Sequence, residues 1–201
     1  MNSTAKRKAL ANNIHSKDFV LAPGVYDLIS AKIADRLNFR AIYMTGYGVA
    51  ASHLGLPDAG LASYTDVVER ARKIAQGTNT PLICDADTGF GGLLNVKHTI
   101  EGFEEAGCSA IQIEDQEIPK KCGHTPGRRV VSIEDMIDKI KVAVDSRNDS
   151  NFLVIARTDS RTEHGLNEAI DRGSAFYESG ADIVFIEAPE SEDEICKIGQ
   201  A

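Results

Sequence analysis

Three things are scarce in this 201-residue sequence: basic residues, cysteine and long apolar runs. Lys and Arg number 22 against 30 Asp and Glu, a formal net charge of -8. A surface that neutralises nucleic-acid phosphates or anionic lipid needs the opposite balance, so neither nucleic acid nor membrane is expected as a partner. The longest apolar runs, such as 81–84 and 183–186, fall far short of the roughly 30 Å of hydrocarbon that a membrane span must cross. The four cysteines, Cys84, Cys108, Cys122 and Cys196, form no Cys-x-x-Cys pair, and no apolar signal segment follows Met1. That usage leads us to expect a reduced, cytoplasmic protein instead of a disulfide scaffold. What remains, 42% hydrophobic and 26% charged residues, is enough to bury one sizeable core, and a single domain over residues 1–201 is expected.

Short β-branched runs recur along the chain, each followed by a loop and a longer segment of helical period. Strands are expected over 19–22, 41–45, 82–87, 110–114, 153–158 and 182–187, and helices over 26–37, 64–76, 95–106, 132–147 and 166–179, with a short helix at 5–14. Most strands are apolar throughout, as strands covered on both faces must be. Ser63, and Ser132 with Asp135, are placed to cap helices, while Gly77, Gly107 and Gly180 fall where helices should end in a left-handed residue. Regular βα alternation implies a parallel sheet, either open or closed into a barrel. Five strands end in polar residues: Thr45 with Gly46, Asp85 with Asp87, Glu114 with Asp115, Arg157 with Asp159, and Glu187. An open sheet gathers ligands at one switch point, whereas a barrel brings every carboxyl end around one mouth. The expected fold is therefore α/β, a parallel (β/α)8 TIM-type barrel.

Asp85 and Asp87 are two apart, so in extended backbone they point the same way, and two carboxylates on one face repel unless a cation joins them. With Glu114 from the next strand they form an oxygen-rich set that suits Mg2+, or Mn2+, better than Zn2+. The same spacing also allows these acids to cap helices or to pair with Arg157. Gly89-Phe90-Gly91-Gly92 lacks the Lys-Ser/Thr of a phosphate loop and is expected to let backbone pass close beside the metal site. The polar segment 115–131 is longer than a usual βα loop and carries Lys120-Lys121-Cys122-Gly123-His124. Cations flanking a thiol favour its ionisation and so suit Cys122 to proton transfer, although an exposed Cys beside surface charge reads the same way. Cys84, Cys108 and Cys196 are expected to be packing residues, and His15, His53, His98 and His164 packing or surface residues.

Six motifs occur in one order: Tyr43-Met44-Thr45-Gly46-Tyr47, Gly55-Leu56-Pro57-Asp58, Asp85-Ala86-Asp87-Thr88-Gly89, Ile113-Glu114-Asp115-Gln116, Lys120-Lys121-Cys122-Gly123-His124 and Ala156-Arg157-Thr158-Asp159. Together they resemble the isocitrate lyase / phosphoenolpyruvate mutase superfamily, whose fold is a (β/α)8 barrel, commonly tetrameric, binding Mg2+ and small carboxylates. The resemblance implies that Tyr43, Thr45, Gly46 and Tyr47 hold the substrate carboxylate, with Gly123, His124, Arg157 and Glu187 also lining its site. It implies metal acids at Asp85 and Asp87, with Asp58 and Glu114 nearby, and catalytic roles for Cys122, Lys120, Arg157 and Glu114. The cysteine in the Lys-Lys-Cys-Gly-His loop resembles the lyase branch, which includes enzymes for 2,3-dimethylmalate and 2-methylisocitrate, rather than the mutase and phosphonopyruvate hydrolase branches.

The reaction so implied is a Mg2+-dependent cleavage of a 2-hydroxy di- or tricarboxylate to an α-oxo acid such as pyruvate and a second carboxylic acid, with Cys122 on a gating loop as general acid. Oxaloacetate hydrolysis or phosphonomutase-like chemistry on the same scaffold is the enzymatic alternative, and an inactive truncated binding module the non-enzymatic one. A barrel of eight βα units takes about 250 residues, and only six strands are found here. The expectation is thus a barrel truncated after about six units, lacking the C-terminal helix that family tetramers swap, and poorly soluble or inactive when expressed alone.

Overall fold

The computed structural model describes residues 1–201. Helix α1 (Ser3–His15) leads into β1 (Gly24–Val25), α2 (Leu28–Arg36), β2 (Ile42–Met44) and the single turn α3 (Gly46–Val49), which runs on into a π-helical turn, Ala50–Leu54. Then come α4 (Tyr64–Gly77), β3 (Leu82–Asp85), α5 (Leu93–Ala106), β4 (Ala110–Glu114), α6 (Ile133–Ser146) and β5 (Leu153–Thr158). The chain continues through α7 (Arg161–His164), α8 (Leu166–Glu178), β6 (Ile183–Ile186) and α9 (Glu192–Gln200). All six strands are parallel and lie in the order β1-β2-β3-β4-β5-β6. Each strand pairs with its neighbour in sequence, so the order never reverses and no switch point forms. This is the strand order of a barrel and not of a doubly wound sheet.

Residue parity sorts the strands into two faces. Ile42 and Met44, Leu82 and Cys84, Ile111 and Ile113, and Val154 and Ala156 turn outward into a core of 29 buried residues shared with the surrounding helices. Alternate residues turn inward. The lower ones, Ala41, Ile83, Ala110, Leu153 and Ile155, pack on Leu10 and Ala11 of α1, so α1 plugs the floor of the sheet. Two buried cations pin it there. Lys6 Nζ donates to the carbonyls of Ala75 and Thr78, 2.6 Å from each. Arg7 Nε donates to the Cys108 carbonyl at 3.0 Å, and its guanidinium also reaches the Glu104 carbonyl and the Asp149 carboxylate. Cations at the ends of α4 and α5 are favoured by the partial negative charge of unpaired helix carbonyls.

The expected helix caps form at Ser63 and Ser132, whose side chains accept from Asp66 N–H and Asp135 N–H. Gly107 (φ 96°) and Gly180 (φ 106°) take the left-handed conformation at the αβ turns. Gly77 does not: it is the last residue of α4, and a Cβ there would meet Leu28 Cδ1 at 2.4 Å, so its role is to let α2 close on α4. The first strand also lies later than 19–22. Tyr43 N–H donates to the Pro23 carbonyl and Thr45 N–H to that of Val25, so the ladder begins at the Pro-Gly pair. Proline, lacking an N–H, is tolerated where an edge strand starts, and Phe19 and Leu21 are left exposed. No helix is long and apolar enough to cross a membrane.

Candidate active site

The inward parity that buries Ile83, Ala110 and Ile155 low in the sheet places Tyr43, Asp85, Gln112, Glu114 and Arg157 higher on the same face, at the carboxyl ends of β2 to β5. All but Glu114 open on a cavity of about 910 Å³ that Thr45, Tyr47, Asp58, Cys122, Gly123, His124 and Glu187 also line. Most of the sequence-expected residues therefore converge on one mouth, while Asp87 and Lys120 line a neighbouring cavity beside Tyr64 and Phe90. Glu114 lies just beneath the mouth, 1% exposed.

Electrostatics there are dominated by carboxylates: Asp58, Asp85, Asp87, Glu114, Asp159 and Glu187 face two central cations, Lys120 and Arg157. Lys120 is buried, and its Nζ bridges Asp58 Oδ1 at 2.5 Å and Asp87 Oδ1 at 2.6 Å. Burial works against that ammonium, but Asp87, Asp85, Glu114 and Asp58 outweigh it and hold its pKa above the usual lysine range. Burial, with the Asp85 charge adding, pushes the Asp87 carboxyl up to about 6 although Lys120 pulls the other way. Glu114 is pushed well above the ordinary carboxylate range, chiefly by burial and opposed by Arg157. Burial and the nearby Asp85 likewise raise the Tyr43 phenol.

Arg157 is the second hub. Its Nε and Nη2 fork onto Asp159 at 3.0 and 2.9 Å, and the same nitrogens lie 3.5 Å from Glu114 Oε2 and 3.3 Å from Glu187 Oε2. Nη1 is engaged by none of these carboxylates. Burial opposes the guanidinium charge, but Glu114 and Asp159 more than offset it and raise its pKa.

Several details depart from the sequence expectations. Asp85 and Asp87 do not extend in parallel, because Asp87 is left-handed (φ 49°) and turns to Lys120, while its N–H donates to Asp85 Oδ1 at 3.0 Å. The glycine that passes close to the acids is Gly46, whose N–H donates to Asp85 Oδ2 and whose missing Cβ would lie 3.0 Å from that oxygen. Gly89 and Gly91 instead fit against Val96 and Asn95 at the start of α5. Neither lysine beside Cys122 directs its ammonium to the thiol: Lys120 is committed to Asp58 and Asp87, and Lys121 Nζ donates to the Gly127 carbonyl. The thiol is half-buried at the cavity wall. Cys84 and Cys108 are core residues with their sulfurs 3.3 Å apart, but Cys196 is exposed on α9 instead of packed.

Sequence reasoning passed over Gln112 and Arg128, and named Asp115 and Asp159 as strand-end residues without giving them a role. Asp159 and Asp115 are fully buried, and Asp115 accepts from Asp159 N–H, Thr158 Oγ1 and Arg172 Nη1. A signal existed for Gln112, a lone polar residue two before Glu114 in an apolar strand and hence on its face, and for Asp159, two after Arg157. Nothing in the local sequence distinguishes Arg128 from Arg129.

A divalent cation fits this set. No three Asp, Glu, His or Cys side chains converge to hold a metal alone. Mg2+, however, commonly takes one or two carboxylates and keeps several waters. The donors are hard oxygens in excess over cations, and Glu114 Oε1 is buried with no hydrogen-bond partner.

Sequential parallel strands with an acidic, arginine-backed cluster at their carboxyl ends define a TIM-barrel-type enzyme scaffold. The chain belongs to the phosphoenolpyruvate mutase / isocitrate lyase superfamily: the phosphoenolpyruvate phosphomutase family model matches residues 10–201. It is 51% identical over 200 residues to 2,3-dimethylmalate lyase of Eubacterium barkeri, covering 100% of this chain and 68% of that enzyme. It is 44% identical over 182 residues to 2-methylisocitrate lyase of Shewanella oneidensis, covering 90% of this chain and 61% of that one. A solved oxaloacetate acetylhydrolase, complexed with 3,3-difluorooxalacetate, superposes with a TM-score of 0.92 at 37% identity, covering 99% of this chain and 68% of that one. The chain thus spans about two thirds of the length of these proteins, and its curated relatives include lyases.

Proposed function

We propose that this chain carries the site of a carbon-carbon lyase acting on a 2-hydroxy di- or tricarboxylate of the 2,3-dimethylmalate or 2-methylisocitrate type, releasing an α-oxo acid such as pyruvate and a second carboxylic acid. The observation that carries this reading is the single cavity onto which Asp85, Arg157, Glu187, Cys122 and His124 all open. Asp85, with Asp87, Asp58 and Glu114 reaching through water, is the residue that would hold Mg2+ or Mn2+ directly. The bound cation supplies Lewis-acid polarisation of the substrate's 2-oxygen.

The protein's own groups account for the rest. Glu114 Oε1, buried without a hydrogen-bond partner, takes the proton of the 2-hydroxyl as the C2–C3 bond breaks. The electron pair of that bond stays on C3 and spreads into its carboxylate. Arg157 Nη1 and the Lys120 ammonium supply positive charge for the doubled anion. Cys122 Sγ–H then gives its proton to C3, with the 115–131 loop excluding water that would compete as a proton source.

The likeness to oxaloacetate acetylhydrolase favours a second reading, hydrolysis of an α-oxo diacid on the same residues. Incubating the protein with 2,3-dimethylmalate, 2-methylisocitrate and oxaloacetate in parallel, and measuring pyruvate and oxalate, separates the two. Under the lyase reading pyruvate forms from a hydroxy acid, EDTA stops it, and Cys122→Ser lowers kcat roughly 10²- to 10⁴-fold while the substrate still binds. Undiminished turnover by Cys122→Ser, or oxalate as the sole product, overturns it.

A further inference from the structure

Segment 115–131 begins and ends as a short two-stranded ribbon: Val131 N–H donates to the Asp115 carbonyl, Glu117 N–H donates to that of Arg129, and Gln116 faces Val130. The Gln116 side chain pins one side of the tip, accepting from Lys121 N–H and donating to the Lys121 carbonyl at 2.9 Å each. The other side is held by Arg128. Its neighbours Thr125, Pro126, Gly127 and Arg129 are all exposed, yet Arg128 is 4% exposed. Its Nη1 donates to the carbonyls of Gly123 and Thr125, and its Nη2 to Thr162 Oγ1 on α7. Its Nε lies 3.4 Å from Asp159 Oδ1 without completing a hydrogen bond.

Asp159 is therefore shared between two arginines: Arg157, which faces the cavity, and Arg128, which grips the loop. Gly123 closes the circuit from the other side. A Cβ there would lie 2.5 Å from Arg157 Nη2 and 3.0 Å from Glu187 Oε1, so the loop backbone rests directly on the arginine that Asp159 orients.

We propose that Arg128 is a positioning residue, the latch that holds the Cys122-Gly123-His124 tip over the cavity, with Asp159 as the common anchor that ties loop closure to the placement of Arg157. Planarity suits arginine to this role. One guanidinium spans two carbonyls, a hydroxyl and a carboxylate in a fixed fork, which a lysine ammonium reproduces only in part. Opening the tip breaks the bonds to Gly123 and Thr125 and leaves Asp159 facing Arg157 alone. The latch follows from geometry; only its effect on turnover rests on the lyase reading.

The test reads the latch without turnover. In a Cys196→Ser background, which removes the exposed thiol, the rate of Cys122 alkylation by iodoacetamide is followed by peptide mass spectrometry, with cleavage by trypsin after Lys121 measured alongside. Arg128→Ala should speed both by about tenfold or more, the factor set by losing hydrogen bonds to a charged donor, while Cys84 and Cys108 stay unmodified because the core is intact. Arg128→Lys should fall between the two, restoring charge without the fork. Rates within twofold of the parent for Arg128→Ala, with Cys84 and Cys108 still protected, overturn the proposal. If Arg128→Ala exposes the core cysteines, Arg128→Lys decides by the same criterion, with a threefold rise expected and a rate within twofold refuting it. Where lyase turnover is measurable, Arg128→Lys should lower kcat more than it changes KM, and absence of turnover in the parent overturns the lyase reading alone.

Discussion

Replacing Lys120 by Met tests the electrostatics at the centre of the mouth. Methionine keeps most of the aliphatic stem, whose Cγ lies 3.5 Å from where a Cβ on Gly60 would sit, but removes the ammonium shared by Asp58 and Asp87 at 2.5 and 2.6 Å. Deleting one partner of a buried ion pair typically costs about 3–5 kcal/mol, because the remaining charge is left desolvated. Here protonation limits the loss. Asp87 already has its pKa raised to about 6 with Lys120 in place, so in the variant it can bind a proton instead of remaining charged. A carboxyl with a folded pKa above its unfolded value contributes stability that is complete below the unfolded pKa and is lost as pH rises through the folded one. The shift from 3.8 to about 6 already costs the parent about 3 kcal/mol at pH 8, and without the lysine it widens, so the variant loses more. In metal-free protein the variant, short of the about 3–5 kcal/mol that the unpaired charge costs, should melt roughly 6–20 °C below the parent at pH 8, at about 2–4 °C per kcal/mol for a chain of this size. The gap should narrow at pH 5, where a proton stands in for the ammonium, and millimolar Mg2+ should recover part of it at pH 8. Differential scanning calorimetry at the two pH values decides. Equal melting at pH 8, or a deficit that does not change with pH, refutes the reasoning.

Arg7→Ala removes the clamp from α1 to the Cys108 and Glu104 carbonyls, the ion pair to Asp149 and the stacking on Phe152; a loss of about 3–5 kcal/mol is expected, read as a lower urea midpoint, and an unchanged midpoint contradicts the buried-clamp account. Gly123→Ala forces the loop off Arg157 and Glu187, so kcat should fall at least about tenfold, roughly the effect of 1.4 kcal/mol on the barrier, while the melting temperature stays within a few degrees. Asp35→Asn weakens a carboxylate that accepts from Asn79 N–H, Thr80 N–H and Thr80 Oγ1 at 2.9, 2.8 and 2.7 Å. Burial opposes its ionisation, but these bonds outweigh it and hold its pKa below the ordinary carboxylate range. Its contribution, about 1–3 kcal/mol, is present above that range and is lost as pH falls through the lowered value. Urea melts of parent and variant should therefore converge in acid, and parallel curves would contradict the assignment.

Much of the fold was legible because it rests on local signals. Short apolar, β-branched runs locate β2 to β6 and period-3.6 patterns the outer helices, and Ser63, Ser132, Gly107 and Gly180 punctuate them as a backbone reading requires. β1 was misplaced because the apolar residues at 19–22 outweighed the Pro23-Gly24 pair, which only pairing with β2 turns into a strand. The site was legible where function falls at strand ends: parity alone places Tyr43, Asp85, Glu114 and Arg157 on one face. It failed where backbone leaves the strand. Asp87 shares the parity of Asp85, but its left-handed turn sends it to Lys120, and Lys120 itself reads in sequence as a neighbour of Cys122.

By itself the sequence determined the βα alternation, the acidic strand ends and the family, because each is written in residues adjacent or two to four apart. Only the tertiary structure decided how the charges are shared: Lys120 between Asp58 and Asp87, Asp159 between Arg157 and Arg128, and the cations of α1 at the ends of α4 and α5. Those partners lie between 2 and more than 100 residues apart. A buried charge takes whichever opposite charge or carbonyl the fold brings within reach, which is a property of the packed chain and not of its local pattern.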